Sequence, residues 1–401
     1  MPWKTSRSVD LKLDFVRRLK AGERMTDLCR EYGIHRQTGY EVLARYDAGG
    51  VEALLPRSRA PQQVPHRTPS ELVELIVAGR KEHPTWGPKI LKSVLEKQHG
   101  VRLPAPSTIG DILKRAGLVE AKKRQRPRAR PRPTGLREAT TANELWCADY
   151  KGQFRLGDSS YCYPLTMTDQ FSRKVLCCEA MPAIDEEEAC EASIRTFRRY
   201  GVPTAIRTDN GVPFASTALA GLTRLSVLWL RLGIELERIT PGEPQENGRH
   251  ERMHRTLKLE TARPPGANIL QQQERFDRFV GEFNAVRPHQ ALGLKPPDAV
   301  YQPSARPMPD KLPSPEYPLH DDVGAVTKGG VLVFVRRERY YLCPALGGQE
   351  VGLRELDDGR WIVTFMGLDL GYINRKTRKF EAMNAASPPA PEQETSPMCP
   401  V

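Results

Sequence analysis

Between residues 143 and 239 the sequence changes periodicity in an order that few folds accommodate. Stretches rich in β-branched, aromatic and cysteine residues predict three strands, at "NELWCADYKGQF", "YCYPLTMTD" and "KVLCCEAM". Short loops at "LGDS" and "DQFS" join them, which indicates an antiparallel meander. A helix capped by Asp185, a strand over about 204–208, a helix near 216–232 and a strand at "IELERI" follow. The predicted order is three antiparallel strands and then alternating helices and strands, as in the ribonuclease-H-like fold.

The charge balance indicates the class of partner. The 401 residues include 61 lysines and arginines against 49 aspartates and glutamates, which gives a net charge of +12. This excess favours a polyanion, with nucleic acid first. No run approaches the roughly 18 uncharged residues of a membrane-spanning helix, and the first residues lack the apolar centre of a secretion signal. We expect a soluble intracellular protein of several domains.

The cysteines exclude two kinds of site. The chain has eight of them, none in a C-x-x-C pair. Neither a disulfide framework nor a thiolate zinc site is therefore indicated. We expect reduced residues, mostly in the core.

Residues 1–55 predict a helix-turn-helix DNA-binding module. Apolar residues recur at helical spacing, Gly33 makes the turn, and a third helix runs from about Arg36 to Tyr46. This helix begins with Arg36, Gln37 and Thr38, the positions that present side chains to base edges in the major groove. A three-helix packing module without DNA contacts is the alternative. Gly39 within this helix is unfavourable by about 1 kcal/mol relative to alanine.

Residues 66–120 predict a second helix-turn-helix module. It is followed by a basic, proline-rich linker at 121–138 that includes "KKRQRPRARPRP". The prolines prevent a helix and extend the chain. Lys122, Lys123 and Arg124 are candidate DNA contacts, because a cationic linker along a duplex gains affinity by releasing counterions. A solvated linker is the other interpretation, and both can hold.

Four motifs carry a family resemblance. The segments "LWCADYKGQF", "RTDNGVPF", "PGEPQENGRHERMHRTLKLE" and "FNAVRPHQALGLKPPDAVY" occur in this order. Together they resemble bacterial insertion-sequence transposases of the DDE type, relatives of retroviral integrases. The resemblance covers roughly residues 10–300 and implies a multidomain protein. Its expected fold is N-terminal all-α helix-turn-helix modules, a central α/β ribonuclease-H-like integrase core at 139–302 and a C-terminal small β-barrel.

Strand transfer into DNA, which the resemblance implies, is an in-line displacement at phosphorus. Two divalent metals about 3.5–4 Å apart activate the attacking oxygen and neutralise the leaving one. Magnesium prefers oxygen ligands, so convergent carboxylates suffice. We expect two Mg²⁺ ions, with Mn²⁺ as a substitute.

Two of the expected carboxylates come from strands. Asp149 shares one face of the first strand with Leu145 and Cys147, which places a carboxylate on an otherwise apolar face. Asp209 ends the fourth strand, and the implied fold makes these two strands neighbours. Either residue has a simpler interpretation: Asp149 as a solvated strand end, and Asp209 as a turn residue before Asn-Gly. Asp169 in "MTDQFSR" is expected to be a structural turn residue.

Glu251 is the predicted third carboxylate. On a helix it shares a polar stripe with His254, Arg255 and Lys258, whereas Glu246 and Glu260 project near the apolar side. An i,i+4 pair of Glu251 with Arg255 is the alternative. The resemblance implies that Arg255 and Lys258 contact the DNA end and that Gln245 lies in a flexible active-site loop. Simple solvated cations, and a turn at "TPGEP", are the alternatives. A zinc site at His250 and His254 is disfavoured, because no third nitrogen ligand accompanies them.

The spacing between Asp209 and Glu251 is longer than is usual in retroviral integrases. We expect the surplus in a longer helix within "STALAGLTRLSVLWLRLGI". Beyond the core, Phe276, Phe279 and Phe283 form a helical stripe that predicts packing. Residues 303–325 predict a proline-rich linker, 326–382 a small β-barrel and 383–401 a disordered tail.

The expected function is that of a DNA transposase. It would bind the terminal repeats of a mobile element and catalyse Mg-dependent 3′-end cleavage and strand transfer. Its partners would be double-stranded DNA, as element end and target, and further copies of the chain, in a dimer or tetramer without membrane contact. Its location would be the bacterial cytoplasm, on the nucleoid. A non-enzymatic DNA-binding protein and a ribonuclease-H-type nuclease are the alternatives.

Overall fold

The computed structural model describes residues 5–56, 67–119, 135–334 and 337–383. The chain consists of two compact units, Met1–Thr68 and Pro69–Val401. No helix within these described ranges is long and apolar enough to cross a membrane.

The first unit is a small helical module. Its helices are α1 (Thr5–Lys20), α2 (Met25–Glu31) and α3 (Arg36–Gly49), and a short 3₁₀ turn follows at Glu52–Leu54. The core consists of six buried apolar residues: Phe15, Val16, Leu28, Cys29, Val42 and Leu54. Gly33, with φ of +63°, makes the turn between α2 and α3 in the left-handed conformation that glycine favours.

Gly39 is required for close packing of α3. A Cβ atom there would lie 2.8 Å from the Sδ of Met25, 2.9 Å from the Sγ of Cys29 and 3.1 Å from the ring of Phe15. From helix propensity alone, Gly39 is only destabilising to α3. The structure shows why glycine is needed here: α1 and α2 approach the backbone of α3 at this point.

The second unit begins with another helical module, made of α4 (Ser70–Glu82), α5 (Pro88–His99) and α6 (Pro106–Arg115). Trp86, Leu91 and Ile109 are among the fully buried residues of its core. A polar cluster fastens this module to helices further along the chain. Thr85 and Arg287 both bind the carboxylate of Glu260, and the Nδ1 of His83 lies 2.9 Å from Oε1 of Glu282.

A mixed sheet forms the centre of the second unit. Its strands are β1 (Leu145–Tyr150), β2 (Phe154–Arg155), β3 (Tyr161–Asp169), β4 (Val175–Met181), β5 (Ala205–Thr208) and β6 (Glu235–Arg238). The meander β1, β3 and β4 is antiparallel, with β3 between the other two. β5 pairs parallel with β1 on one side and with β6 on the other. The predicted strand order of a ribonuclease-H-like core is confirmed.

Helices cover both faces of this sheet. They are α7 (Glu186–Tyr200), α8 (Arg224–Arg231), α9 (Gly248–Thr261) and α10 (Ile269–Ala285). Asp185 caps α7 by accepting from the backbone N–H groups of Glu187 and Glu188, as predicted. One core contains residues of α7 and α8 such as Phe197 and Trp229. The other contains residues of α9 and α10, including Phe276, Phe279 and Phe283, which confirms the packing role of this stripe.

The expectation of a longer helix after Asp209 is wrong. α8 has only 8 residues and starts after Thr223, which forms a capping box with Ser226. Residues 209–223 are mostly irregular and include a 3₁₀ turn at Leu219–Gly221. The extra length therefore lies in a loop, which the cap at Thr223 separates from the helix.

The C-terminal part is a nearly closed antiparallel sheet. Its strands are β7 (Asp322–Val326), β8 (Val331–Val333), β9 (Arg339–Tyr341), β10 (Glu350–Glu355), β11 (Trp361–Phe365), β12 (Leu368–Asn374) and β13 (Lys379–Ala382). The order is β13-β12-β11-β10-β7-β8-β9, and β13 comes close to β9. Its core continues into Leu222 and Val227 beside α8. This is the small barrel that the sequence predicts.

The proline-rich segment before this sheet is held along the core. The backbone of Arg306 accepts from the N–H of Val202, and its guanidinium donates to the carbonyl groups of Pro203 and Leu232. The guanidinium of Arg231 donates to the carbonyl of Pro313. The predicted tail at 383–401 lies outside the described residues from 384 onward.

Candidate active site

Asp149 and Asp209 lie on adjacent parallel strands. The pairing of Cys147 with Arg207 is the last described match of β1 with β5. Asp149 and Asp209 each come two residues after this match. Asp149 is the penultimate residue of β1, and Asp209 comes directly after β5. Because neighbouring strands are about 4.8 Å apart and these two run parallel, the two carboxylates lie near the carboxyl ends of adjacent strands.

Asp209 also forms a turn. Its Oδ1 accepts from the N–H of Gly211 at 3.1 Å, and the side chain of Asn210 donates to the carbonyl of Ile239 at 2.7 Å. A Cβ at Gly211 would lie 3.2 Å from Oδ2 of Asp209. Asp209 can therefore be both a turn residue and a metal ligand. The turn holds Oδ1 of its carboxylate through the N–H of Gly211.

Glu251 lies in the first turn of α9 and is exposed, as are Arg255 and Lys258. His254 does not belong to this polar stripe, contrary to the sequence prediction. It is buried together with Met253 and Leu257, because polar partners for its ring come from the sheet beneath α9. The exposed stripe that remains contains one carboxylate and two cations.

The charges of Asp209 and Glu251 act on Asp149. Burial, together with the negative charges of Asp209 and Glu251, raises the pKa of Asp149 to about 7, while the charge of Lys151 opposes this shift. A carboxyl group with such surroundings binds a proton or a cation readily. Carboxylates supply oxygen donors, which Mg²⁺ prefers, although among the described residues these three are not a group whose ligand atoms lie within 4.8 Å of one another.

A chain of buried side chains leads from the sheet to Asp149. Thr168 Oγ1 lies 2.7 Å from Nδ1 of His250, and Nε2 of His250 lies 2.8 Å from Oγ1 of Thr166. The same hydroxyl lies 2.6 Å from Nε2 of His254, whose Nδ1 faces Oδ2 of Asp149 at 3.5 Å. We call these five residues the Thr-His chain.

Both rings of the Thr-His chain are neutral, because burial lowers the pKa of His250 to about 3 and that of His254 well below its usual value. The hydroxyl of Thr166 donates to the backbone carbonyl of Asp149 at 3.0 Å. Since a hydroxyl has only one hydrogen, Thr166 accepts in its contacts with Nε2 of His250 and Nε2 of His254.

Sequence reasoning missed the role of these histidines. It weighed His250 and His254 only as a zinc pair. The ligand atoms of Asp149, His250 and His254 do lie within 4.8 Å of one another. The ring nitrogens are already used in the Thr-His chain, however. A detectable signal was present, since Thr166 and Thr168 alternate as polar residues on one face of a strand that is otherwise apolar.

The loop before α9 is held by Glu246 and Arg207. Glu246 accepts from the N–H of Thr240 at 2.7 Å and from its hydroxyl at 3.1 Å. Arg207 is buried and donates to Glu237, to the carbonyl of Glu246 and to the carbonyl of Arg137. Gln245 is exposed in a 3₁₀ turn at Pro244–Asn247 and donates to Glu243.

Two other acidic residues have structural roles. Asp169 is buried and accepts from the N–H of Asn143 and from both the N–H and the hydroxyl of Ser172, as predicted for a turn residue. Glu260 binds Arg287 and Thr85 rather than approaching Asp149.

The predicted DNA contacts lie on exposed surfaces where the structure describes them. Arg36, Gln37 and Thr38 form the exposed first turn of α3. Lys122, Lys123 and Arg124 lie outside the described residues.

Family models match most of these regions. Two integrase core domain models match residues 139–244 and 232–297. A helix-turn-helix domain model matches residues 11–62, and a homeodomain-like domain model matches residues 38–113.

Two known proteins are similar in sequence. An uncharacterized 39.2 kDa protein of insertion element IS476 from Xanthomonas euvesicatoria is 27% identical over 184 residues, 45% of this chain and 51% of that protein. The Gag-Pol polyprotein of baboon endogenous virus is 36% identical over 103 residues, 25% of this chain and 5% of the polyprotein. The chain thus spans about half the length of the insertion-element protein.

Solved structures of retroviral integrases are also similar. The HTLV-2 integrase catalytic core domain in complex with magnesium is 15% identical, covers 41% of this chain and 100% of its own, and has a TM-score of 0.33. The simian T-cell lymphotropic virus intasome with a PP2A regulatory subunit is 18% identical, covers 73% and 97%, and has a TM-score of 0.37. The chain thus contains a region matched by integrase core domain models, preceded by a region matched by helix-turn-helix and homeodomain-like models, and it is similar to an insertion-element protein.

Proposed function

We propose that the protein is a DNA transposase that binds the terminal repeats of a mobile element, cleaves the 3′ ends and joins them to target DNA. One observation carries the proposal: Asp149 near the end of β1 and Asp209 directly after β5 follow the parallel pairing of these two strands, and the charges of Asp209 and Glu251 both act on Asp149. Carboxylates that repel one another in a half-buried site are costly unless they hold a cation.

Asp149, Asp209 and Glu251 would hold two Mg²⁺ ions, and Mn²⁺ would substitute. When bound, such a pair activates the attacking oxygen and neutralises charge on the leaving oxygen. The protein's own residues position the reacting groups. The Thr-His chain orients Asp149, and the turn at Gly211 fixes Asp209. In the cleavage step water attacks phosphorus, the bond from phosphorus to the 3′ oxygen of the element strand breaks, and this oxygen leaves as a hydroxyl. In the second step that 3′ hydroxyl attacks a phosphorus of target DNA, and the 3′ oxygen of the target strand leaves and takes up a proton.

The exposed cations and amides beside the acids would bind the DNA. Arg255 and Lys258 project from the same exposed stripe of α9 as Glu251, where they would contact backbone phosphates near the cut. Gln245, in the loop before α9, would contact the same strand. Arg36, Gln37 and Thr38 begin α3 and would reach base edges in the major groove. Lys122, Lys123 and Arg124 would add phosphate contacts.

The proposed partner set is double-stranded DNA and further copies of the chain. Both ends of an element must be held together during joining, which requires a dimer or tetramer. Integrase-like cores preceded by helix-turn-helix modules support this arrangement. A non-enzymatic DNA-binding protein is the rival from another class, and the charge convergence at Asp149 argues against it, because DNA reading alone does not require it.

The decisive experiment uses Asp209→Asn. Labelled DNA from the ends of the element is incubated with the full chain and Mg²⁺, and products are sized on a gel. We expect the variant to lose cleavage and joining while DNA affinity stays within about 2-fold, since Asn210 and Gly211 keep the turn. Asp277→Asn, an exposed residue of α10 with the same change in charge, is the matched control. Normal cleavage by the Asp209→Asn variant would end the assignment.

The same assay distinguishes the proposed transposase from a ribonuclease-H-type nuclease. That enzyme would cut an RNA–DNA hybrid without regard to its sequence. The proposed transposase leaves such a hybrid intact and joins a 3′ end to a second duplex.

A further inference from the structure

A cavity of about 410 Å³ lies beside α9, and none of the three carboxylates lines it. Arg252, Arg255 and Thr256 are among its lining residues from α9. Arg255 also belongs to the exposed stripe that carries Glu251. The cavity therefore borders the acidic stripe of α9.

Five arginines line this cavity: Arg173, Arg249, Arg252, Arg255 and Arg287. Arg287 is paired with Glu260, and Arg255 belongs to the stripe of Glu251. Arg249 and Arg252 come from the first turns of α9, and Arg173 comes from the turn between β3 and β4. Cys147, Met253 and Phe283 supply apolar wall behind them. We call Arg173, Arg249 and Arg252 the arginine triad.

The triad's charges are poorly neutralised. Arg173 donates to the carbonyl of Gln170, and Arg252 donates through Nε to the carbonyl of Gly248, so both partners are uncharged. The carboxylate of Glu138 is 3.8 Å from Arg249, beyond hydrogen-bond distance. Asp169 also lines the cavity, but its oxygens accept from Asn143 and Ser172.

The guanidinium groups also disfavour one another's charge. Burial, and then the charges of Arg249 and Arg252, lower the pKa of Arg173 to about 10. The Nε2 of His289, another wall atom, is buried and has no hydrogen-bond partner among the described residues. Apart from Asp169, whose oxygens already accept from Asn143 and Ser172, no acidic side chain of the described residues lines the cavity.

We infer that the arginine triad binds a phosphate group of a DNA strand, next to the phosphate at the carboxylates. Guanidinium forks match the oxygens of a phosphodiester, with two parallel hydrogen bonds from each fork. This inference rests on the proposed function, because it takes DNA as the substrate. A strand held both at the triad and at the carboxylates is fixed at two points along α9, which aligns the scissile bond.

The test removes two charges of the triad and measures DNA binding against salt. Arg249→Gln with Arg252→Gln is compared with Arg198→Gln and Arg199→Gln, two exposed arginines of α7. Each phosphate contact contributes about 0.9 to the slope of log K against log salt. We expect about 10-fold weaker binding and a slope reduced by about 1 for the triad variant only. Equal behaviour of the two double variants would overturn the inference.

Two further measurements keep the result interpretable. The single variant Arg252→Gln changes an exposed side chain, so it tests the same prediction if the double variant does not fold. Inorganic phosphate tests for a free anion: thermal stabilisation of the parent protein but not of the triad variant, with an unchanged DNA slope, would assign the cavity to a free anion and overturn the DNA proposal. Cleavage by the Asp209→Asn variant is a separate readout, so failure of one proposal is distinguishable from failure of the other.

Discussion

The Nδ1 atom of His254 lies 3.5 Å from Oδ2 of Asp149, at the end of a chain of neutral, buried side chains. The contact is longer than a full hydrogen bond, which leaves the carboxylate free to turn toward a cation. The rest of the Thr-His chain is tight, with distances of 2.6–2.8 Å. Asp149 is therefore backed by a ring whose tautomer is fixed from the sheet.

Thr166→Val removes the hydroxyl at the centre of this chain. We expect Mg²⁺ affinity, measured by titration calorimetry, to fall about 10-fold, as is usual when the support of a metal ligand is lost. The reason is that this hydroxyl contacts both histidine rings and donates to the backbone carbonyl of Asp149, so its loss removes three contacts that hold Asp149 and the ring behind it. Thr166→Ser keeps the hydroxyl and should retain the parent affinity. Equal affinities for Val and Ser would show that the chain does not position Asp149.

Gly39→Ala tests whether packing outweighs helix propensity in α3. Alanine is the better helix former by about 1 kcal/mol. The added methyl would nevertheless meet Met25 and Cys29 at under 3 Å, so we expect the first unit to lose about 1–3 kcal/mol of unfolding free energy. Gly281→Ala in α10, with nothing within 4 Å, should be neutral or stabilising. Hydrogen exchange of the full chain measures both, and a stabilised Gly39→Ala variant would contradict the packing.

Arg207→Met breaks a buried ion pair. The guanidinium binds Glu237 at 3.1 Å and the carbonyl of Glu246 at 3.2 Å. Loss of one partner leaves a carboxylate uncompensated, so we expect about 3–5 kcal/mol of destabilisation in urea unfolding. The double variant Arg207→Met, Glu237→Gln removes that charge as well and should recover part of the loss. No recovery would mean that the backbone contacts of Arg207 dominate.

Acid should destabilise the second unit in part through His289. Burial lowers the pKa of this residue from 6.5 to about 4. As the pH falls below 6.5, His289 becomes protonated in the unfolded chain but stays neutral in the folded chain. Folding stability is therefore lost between pH 6.5 and 4. At pH 5 this loss amounts to about 2 kcal/mol. In urea unfolding at pH 7.5 and 5, His289→Gln should shrink the difference, whereas His99→Gln, at an exposed site, should not.

The order of strands was readable from the sequence because each strand of the meander carries its own local signal. Asp169 was also interpreted correctly, since an acid followed by Ser172 in a turn is a local pattern. The adjacency of β1 and β5 was not readable from spacing. Parallel pairing is formed by residues far apart in the chain, and only the family resemblance supplied it.

Other features depended on tertiary neighbours. A helical projection assigned His254 to the polar stripe of Arg255 and Lys258, because periodicity reports polarity and not the partners offered by a sheet. Thr166 on β3 makes burial of this histidine favourable. The start of α8 was predicted too early although its signal is local. Thr223 and Ser226 form a capping box there, but the apolar residues before Thr223 resemble a helix if the capping residue is overlooked.

The hydrogen bonds of Thr85 and Arg287 to Glu260 have a mechanical consequence. Glu260 and Glu251 lie on the same continuous helix, α9. A displacement of the turn between α4 and α5 is therefore transmitted through Thr85 and Glu260 to the helix that carries Glu251. Asp149 and Asp209 belong instead to the sheet. Displacement of the second helical module can thus alter the gap between one carboxylate and the other two without bending a strand.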